Sequence, residues 1–145
     1  MIKLNWQDSV DFCLNLKITG QTDWRVPTRV ELESLLDISR LNPASPEVHP
    51  FLKIQSAWYW SSINRIGSGH ACLVSFVCGL VFLGISKEIA LHVWPVRGGN
   101  FDHSGILVDS GIQEINPRFT DNQDGTVTDC RTGLVWIKDL NLLST

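Results

Sequence analysis

Residues 71–85, ACLVSFVCGLVFLGI, are the longest apolar run of the chain and carry no charged side chain. A bilayer-spanning helix needs roughly 18–20 such residues, more than this run holds. Gly79 and Gly84 also interrupt it. Two buried strands joined by a turn at Cys78-Gly79 account for the same residues. The chain is therefore bound to build a sheet, and its other segments have to cover that sheet.

The N-terminal side offers helices for this task. Trp6, Val10, Cys13, Leu14 and Ile18 recur at helical spacing, and Asn5 stands where an N-cap belongs. Gly20 and Pro27 end that pattern. Thr28 and Glu31 then form a capping box, in which each side chain satisfies the other residue's backbone N–H. Leu32, Leu35, Leu36 and Ile38 supply the core face of this second helix. Three prolines in RLNPASPEVHPF, residues 40–51, predict an irregular loop.

Alternation in SAWYWSS puts Trp58 and Trp60 on one face of a strand and Tyr59 on the other. INRIGSG reads as a loop, HACLVSFV and LVFLGIS as strands, and ALHVWPVR as a further strand in which Pro95 marks an edge or an end. Residues 98–117 hold four glycines without sustained periodicity, the signature of a linker. The closing segment RFTDNQDGTVTDCRTGLVWIKD alternates around polar turns like a hairpin that opens a domain.

Charge narrows the range of functions. A net charge of −3 and the lack of a basic cluster argue against nucleic acid and anionic membrane as partners. No signal peptide is expected after Met1, because a polar helical pattern begins almost at once. Cys13, Cys72, Cys78 and Cys130 form no CxxC pair and have no histidine at finger spacing, so neither a metal nor a cofactor is expected. The thiols permit two disulfides without demanding them. Buried free cysteine is the simpler reading.

Several landmarks occur in one order: WQDSVDFCLNL, GQTDWRVPTRVELESLLD, NPASPEVHPF, YWSS, VWPVRGG and the closing RFTDNQDGTVTDCRTGLVWIKD. Together they resemble the bacterial Lcl C-terminal domain family, named for a collagen-like adhesin. The resemblance implies an α+β, C-type lectin-like fold with two helices packed on a small twisted antiparallel sheet. In that family the TDNxDGTVTD segment comes first, whereas here it comes last. Residues 1–99 then form the main part of one domain, 100–117 a linker, and 118–145 the opening hairpin of a next copy. That hairpin is expected to complete the same domain by permutation, or a neighbour by swapping, because closing so long a loop costs only a few kcal/mol.

The resemblance also implies non-catalytic recognition, most simply of carbohydrate, on a secreted or surface-attached protein; the rival is a structural repeat with no ligand of its own. Trp58 or Tyr59 is the expected aromatic platform. Asn64, Arg65, His70 and Lys87 are the expected polar ligand-binding residues, with Ser68, Ser86 and Glu88 nearby. DWRVP reads as architecture, with Asp23 and Arg25 pinning a turn and Trp24 in the core. In the Asp121–Asp124 loop, Asn122, Asp124 and Gly125 match the middle of a calcium loop, but Thr120 stands where an aspartate belongs, no glutamate closes the loop, and Asp-Gly is a hairpin turn signal in its own right. His49, His70, His92 and His103 are scattered and no nucleophile motif is present, so no enzyme is expected. The apolar 72–85 hairpin departs from the polar pattern of the family. Burial in a homo-oligomer interface, or under a swapped hairpin, is expected of it.

Overall fold

The computed structural model describes residues 2–37, 39–40, 44–45, 50–52, 54, 56–65, 69–110, 117–140 and 143, with the backbone alone at 64 and 65. Ile38, Ser68, His49 and most of the proline-rich loop lie outside the described residues. In chain order the elements are β1 (Lys3–Leu4), α1 (Trp6–Asn15), α2 (Arg29–Ser34), β2 (Trp58–Arg65), β3 (His70–Ser75), β4 (Val81–Ser86), β5 (Leu91–His92), β6 (Val96–Gly98), β7 (Phe119–Asp121), β8 (Thr126–Asp129) and β9 (Leu134–Ile137). Among the described residues the fold is α+β, with two helices and two mostly antiparallel sheets.

Both helices begin as their caps dictate. The Asn5 side chain accepts from the Asp8 N–H at 2.8 Å. Thr28 Oγ1 accepts from the Glu31 N–H, and Glu31 Oε1 accepts from the Thr28 N–H at 2.7 Å. Leu32 and Leu35 enter the core as expected, but Leu14 is 63% exposed. On α1 only Ser9 and Cys13 are buried, so the apolar stripe is narrower than the spacing implied.

Where one small sheet was expected, there are two. The first has the order β1-β5-β2-β3-β4 and the second β6-β9-β8-β7. The expected strand ALHVWPVR divides between them, β5 in the first and β6 in the second. Pro95 lies at the crossing, where its missing N–H costs no ladder bond. Tyr59 pairs in parallel with His92, so the first sheet is not wholly antiparallel. β2 also runs on through Ile63 to Arg65, into residues read as loop.

The first sheet is covered on both faces near its middle. One core gathers Cys13, Trp60, Ala71, Leu73 and Val93 beneath α1. The other gathers Trp24, Leu32, Tyr59, Phe76, Trp94, Leu134 and Trp136 between the sheets and α2. Trp94 joins the two sheets: its ring lies 5.3 Å from that of Trp136, and its indole N–H donates to the Ile137 carbonyl at 3.0 Å.

The closing segment pairs with this same body. Val96, Arg97 and Gly98 of β6 face Trp136, Val135 and Leu134 of β9. Arg118 donates to both carboxylate oxygens of buried Asp129 and to the Ser34 carbonyl at the end of α2. Residues 100–110, read as linker, are also tied down. The Asn100 N–H donates to the Thr132 carbonyl, the Ser110 N–H to that of Arg131, and Arg131 pairs with Asp109 at 2.8 Å.

All four cysteines are free thiols, Cys13 and Cys72 buried, Cys78 and Cys130 exposed. Burial pushes the Cys13 thiol up to about 12. Among the described residues no helix is long and apolar enough to cross a membrane.

His92 gives the fold an acid sensitivity. It stacks against Tyr59 with ring centroids 5.6 Å apart, and Nδ1 lies 3.3 Å from the Ile2 carbonyl. Burial lowers its pKa from the ordinary 6.5, with the bond to Ile2 acting in the opposite direction. The unfolded chain therefore takes up this proton at higher pH than the folded one. The contribution of neutral His92 is fully present above about pH 6.5 and is lost as pH falls below it. The urea midpoint should drop between about pH 7.5 and about pH 5.5, and His92→Gln should reduce that drop. Equal midpoints for the wild type at the two pH values would refute this.

Candidate functional site

The sheet separates the residues expected to share a ligand. Trp58 starts β2 opposite Ser75, whereas Arg65 ends it opposite His70. At the rise of a strand, these ends lie about 20 Å apart. Tyr59 cannot be the expected platform: it is 0% exposed and packed against Phe76 and Trp94. Trp58 is 42% exposed, but it leans on Phe82.

Of the remaining expected residues, Asn64, Arg65 and His70 share a backbone register at the far end of the sheet. Asn64 faces Ala71, Arg65 faces His70, and His70 faces Ser86 across β2, β3 and β4. His70 is exposed there. Lys87 has a packing role, with Nζ 4.4 Å from the centroid of the Trp6 ring and its carbonyl accepting from the Trp6 N–H. Ser86 Oγ accepts from the Glu88 N–H in the following turn. Among the described residues, the ring found at this end is that of Trp6, whose centroid Lys87 Nζ approaches.

The acidic loop spends its carboxylates on itself. Asp121 accepts from Lys138 Nζ at 2.6 Å, a bond that holds its pKa below the ordinary carboxylate value. Asp124 accepts from the N–H and hydroxyl of Thr126, and the Asn122 amide donates to Thr126 and Thr128. Among the described residues, no group of three or more His, Cys, Asp or Glu gathers to hold a metal.

A different region has the shape of a binding site. A groove of about 750 Å³ opens between α1, the 23–28 segment and the chain leaving β6. Its walls include Val10, Leu14, Val26 and Phe101, and its polar lining includes Asp23, Arg25 and Ser62. Arg25 grips buried Glu31 through both guanidinium nitrogens, at 2.6 and 2.7 Å, and donates to the Gly98 carbonyl at 3.0 Å. At the rim, Asp23 accepts from Arg97, whose bond lowers the pKa of that carboxyl. The charged side chains of the groove are thus paired with one another or with Arg97.

DWRVP is architectural, as expected: Trp24 is buried, Arg25 pairs with Val96 through its backbone, and Asp23 binds Arg97. The same residues also line the groove. Sequence reasoning missed Phe101, which falls in the stretch read as linker. Its ring lies across Arg25, 5.9 Å from the guanidinium carbon. A Cβ on Gly99, at φ +112°, would stand 2.7 Å from that ring. Gly98-Gly99 followed by an aromatic residue is the signal that could have revealed it, since glycine marks a close approach to backbone.

Because Glu31 is buried, its partner matters more than one at the rim. Arg25→Met should cost about 3 kcal/mol, since it strands a buried carboxylate. Asp23→Asn, at the exposed rim, should cost a small fraction of that. Urea unfolding of the two variants is the check, and equal losses would show that Glu31 does not depend on Arg25.

Neither a curated protein nor a solved structure matches the chain. The profile of the Lcl C-terminal domain matches residues 1–97, a span that includes both helices, the first sheet and the start of β6. The chain belongs to the Lcl C-terminal domain family.

Proposed function

We propose that this domain is a non-catalytic recognition module that takes a neutral saccharide in the groove between α1 and Phe101. The observation that carries this is the pairing of its charges. Asp23, Arg25 and Glu31 are neutralised within the wall, so the groove offers no free cationic cluster to a polyanion. It does offer apolar walls, an aromatic ring and planar polar side chains, and a volume of about 750 Å³ suited to a small ligand. A sugar ring has the matching character, with an apolar C–H face and an edge of hydroxyls.

We read the domain as C-type lectin-like, with residues 118–139 completing it from the C-terminal side. The pairing of β9 with β6 and the bond from Arg118 to the end of α2 support that reading. Location outside the cell rests on the likeness to a surface adhesin.

The test is a glycan array with and without calcium, including sulfated and neutral saccharides. Three proteins are compared: wild type, Phe101→Ala, and Arg65→Ala/His70→Ala/Lys87→Ala. Neutral saccharides should bind, and Phe101→Ala should weaken binding roughly tenfold, about 1.4 kcal/mol. The triple variant should bind as wild type does. Loss in the triple variant alone would move the ligand to the far end of the sheet. Silence from folded wild type would favour the structural repeat.

A further inference from the structure

The uncharged run that obliges the chain to form a sheet leaves half of itself uncovered. β3 is buried from Ala71 to Ser75, whereas β4 is the outer strand of the sheet. Leu83 is 57% exposed and Phe82 36%, with Leu80, Val77 and Trp58 bared beside them. Folded proteins blunt such edges with lysine, proline, short length or a bulge. β4 has neither charge nor proline over its six residues. Its one irregularity is the register shift that sets Leu83 and Gly84 together opposite Cys72.

We propose that two copies of this chain pair antiparallel through β4, joining their first sheets across a two-fold axis. The hydrogen-bond directions select the register. The Ser75 N–H donates to the Leu80 carbonyl and the Lys87 N–H to the Gly69 carbonyl, both within the β3–β4 hairpin. Alternation in an antiparallel ladder then turns the backbone of Val81 and Ser86 away from β3. A two-fold axis between Leu83 and Gly84 sets Val81 opposite Ser86 of the other copy, so outward-facing backbone meets outward-facing backbone. Phe82 then lies opposite Ile85, and Leu83 opposite Gly84.

That last pairing fits a detail of the monomer. A Cβ built on Gly84 meets nothing within 4 Å, so open space stands where Leu83 of the other copy would lie. No like charges face each other either, since Lys87 falls opposite Leu80. The bared side chains amount to roughly 400 Å² per copy, and with the backbone a symmetric pair would bury on the order of 1,000 Å², the lower end of specific interfaces. Assembly stops at two, because the opposite edge of the sheet is β1, two residues long and bearing Lys3.

The proposal is independent of the saccharide reading, since the groove lies on other elements. Sedimentation equilibrium of the full chain over a hundredfold concentration range is the test. The weight-average mass should rise from 16.3 kDa towards twice that value, and no further. Gly84→Lys has room in the monomer, so it should keep the wild-type circular dichroism and stay monomeric. Leu83→Lys should do the same, while Val30→Lys, an equally exposed change on α2, should still dimerise. A wild type that is monomeric throughout, a Gly84→Lys that still dimerises, a Val30→Lys that does not, or growth beyond the dimer would each overturn the proposal.

Discussion

The carboxylate of Glu31 is the constraint on which most of this domain depends. One oxygen accepts from the Thr28 N–H and so starts α2, while both oxygens hold Arg25. Arg25 in turn pairs its backbone with Val96 and reaches the Gly98 carbonyl. A single buried anion thus ties a helix start, the turn before it and the first strand of the second sheet. Such a group is costly to bury, and the cost is offset only while every bond to it is present. The groove wall inherits this rigidity, because the side chain that lines it is the one that neutralises the core.

Trp94 plays the corresponding part for the closing segment. It sits between β5 and β6, where the chain passes from one sheet to the other, and its ring meets those of Phe51, Tyr59, Phe76 and Trp136. Its indole N–H ends on Ile137. The last strands are therefore held by aromatic packing and a buried hydrogen bond as well as by the β6–β9 ladder. Without β9, Trp94 would lose its contact with Trp136 and the acceptor of its indole N–H, and Val96 its ladder partner. This gives a physical reason for a hairpin so far along the chain to belong to this core.

The legible parts of the fold were those written in neighbouring residues. Asn5, Thr28 and Glu31 announce two helix starts because capping is settled within four residues. The turn at Cys78-Gly79 and the alternation around Tyr59 are local in the same way. What the sequence hid was the partner of each face. Alternation put Tyr59 opposite Trp58 and Trp60, but it could not say that both faces of β2 are covered near its middle, which buries Tyr59 and Trp60 alike. Pro95 marked a strand end without revealing that the strands on its two sides join different sheets. The groove was the least legible feature. Phe101 owes its position to two glycines and to contacts with Arg25, seventy-six positions earlier in the chain, which no local pattern records.

The two exposed apolar regions then make different physical demands. The groove is concave and its charged groups are already paired, so it can remain open in water until an amphipathic ligand fills it. The β4 edge is exposed, carries no charge over its six residues, and presents outward-facing backbone groups that another strand can pair. A small ligand cannot satisfy a row of N–H and C=O groups spaced along a strand, whereas a second strand can. The chain's longest uncharged run therefore makes sense as two strands with two fates: β3 buried within the domain, and β4 left to be buried by another copy.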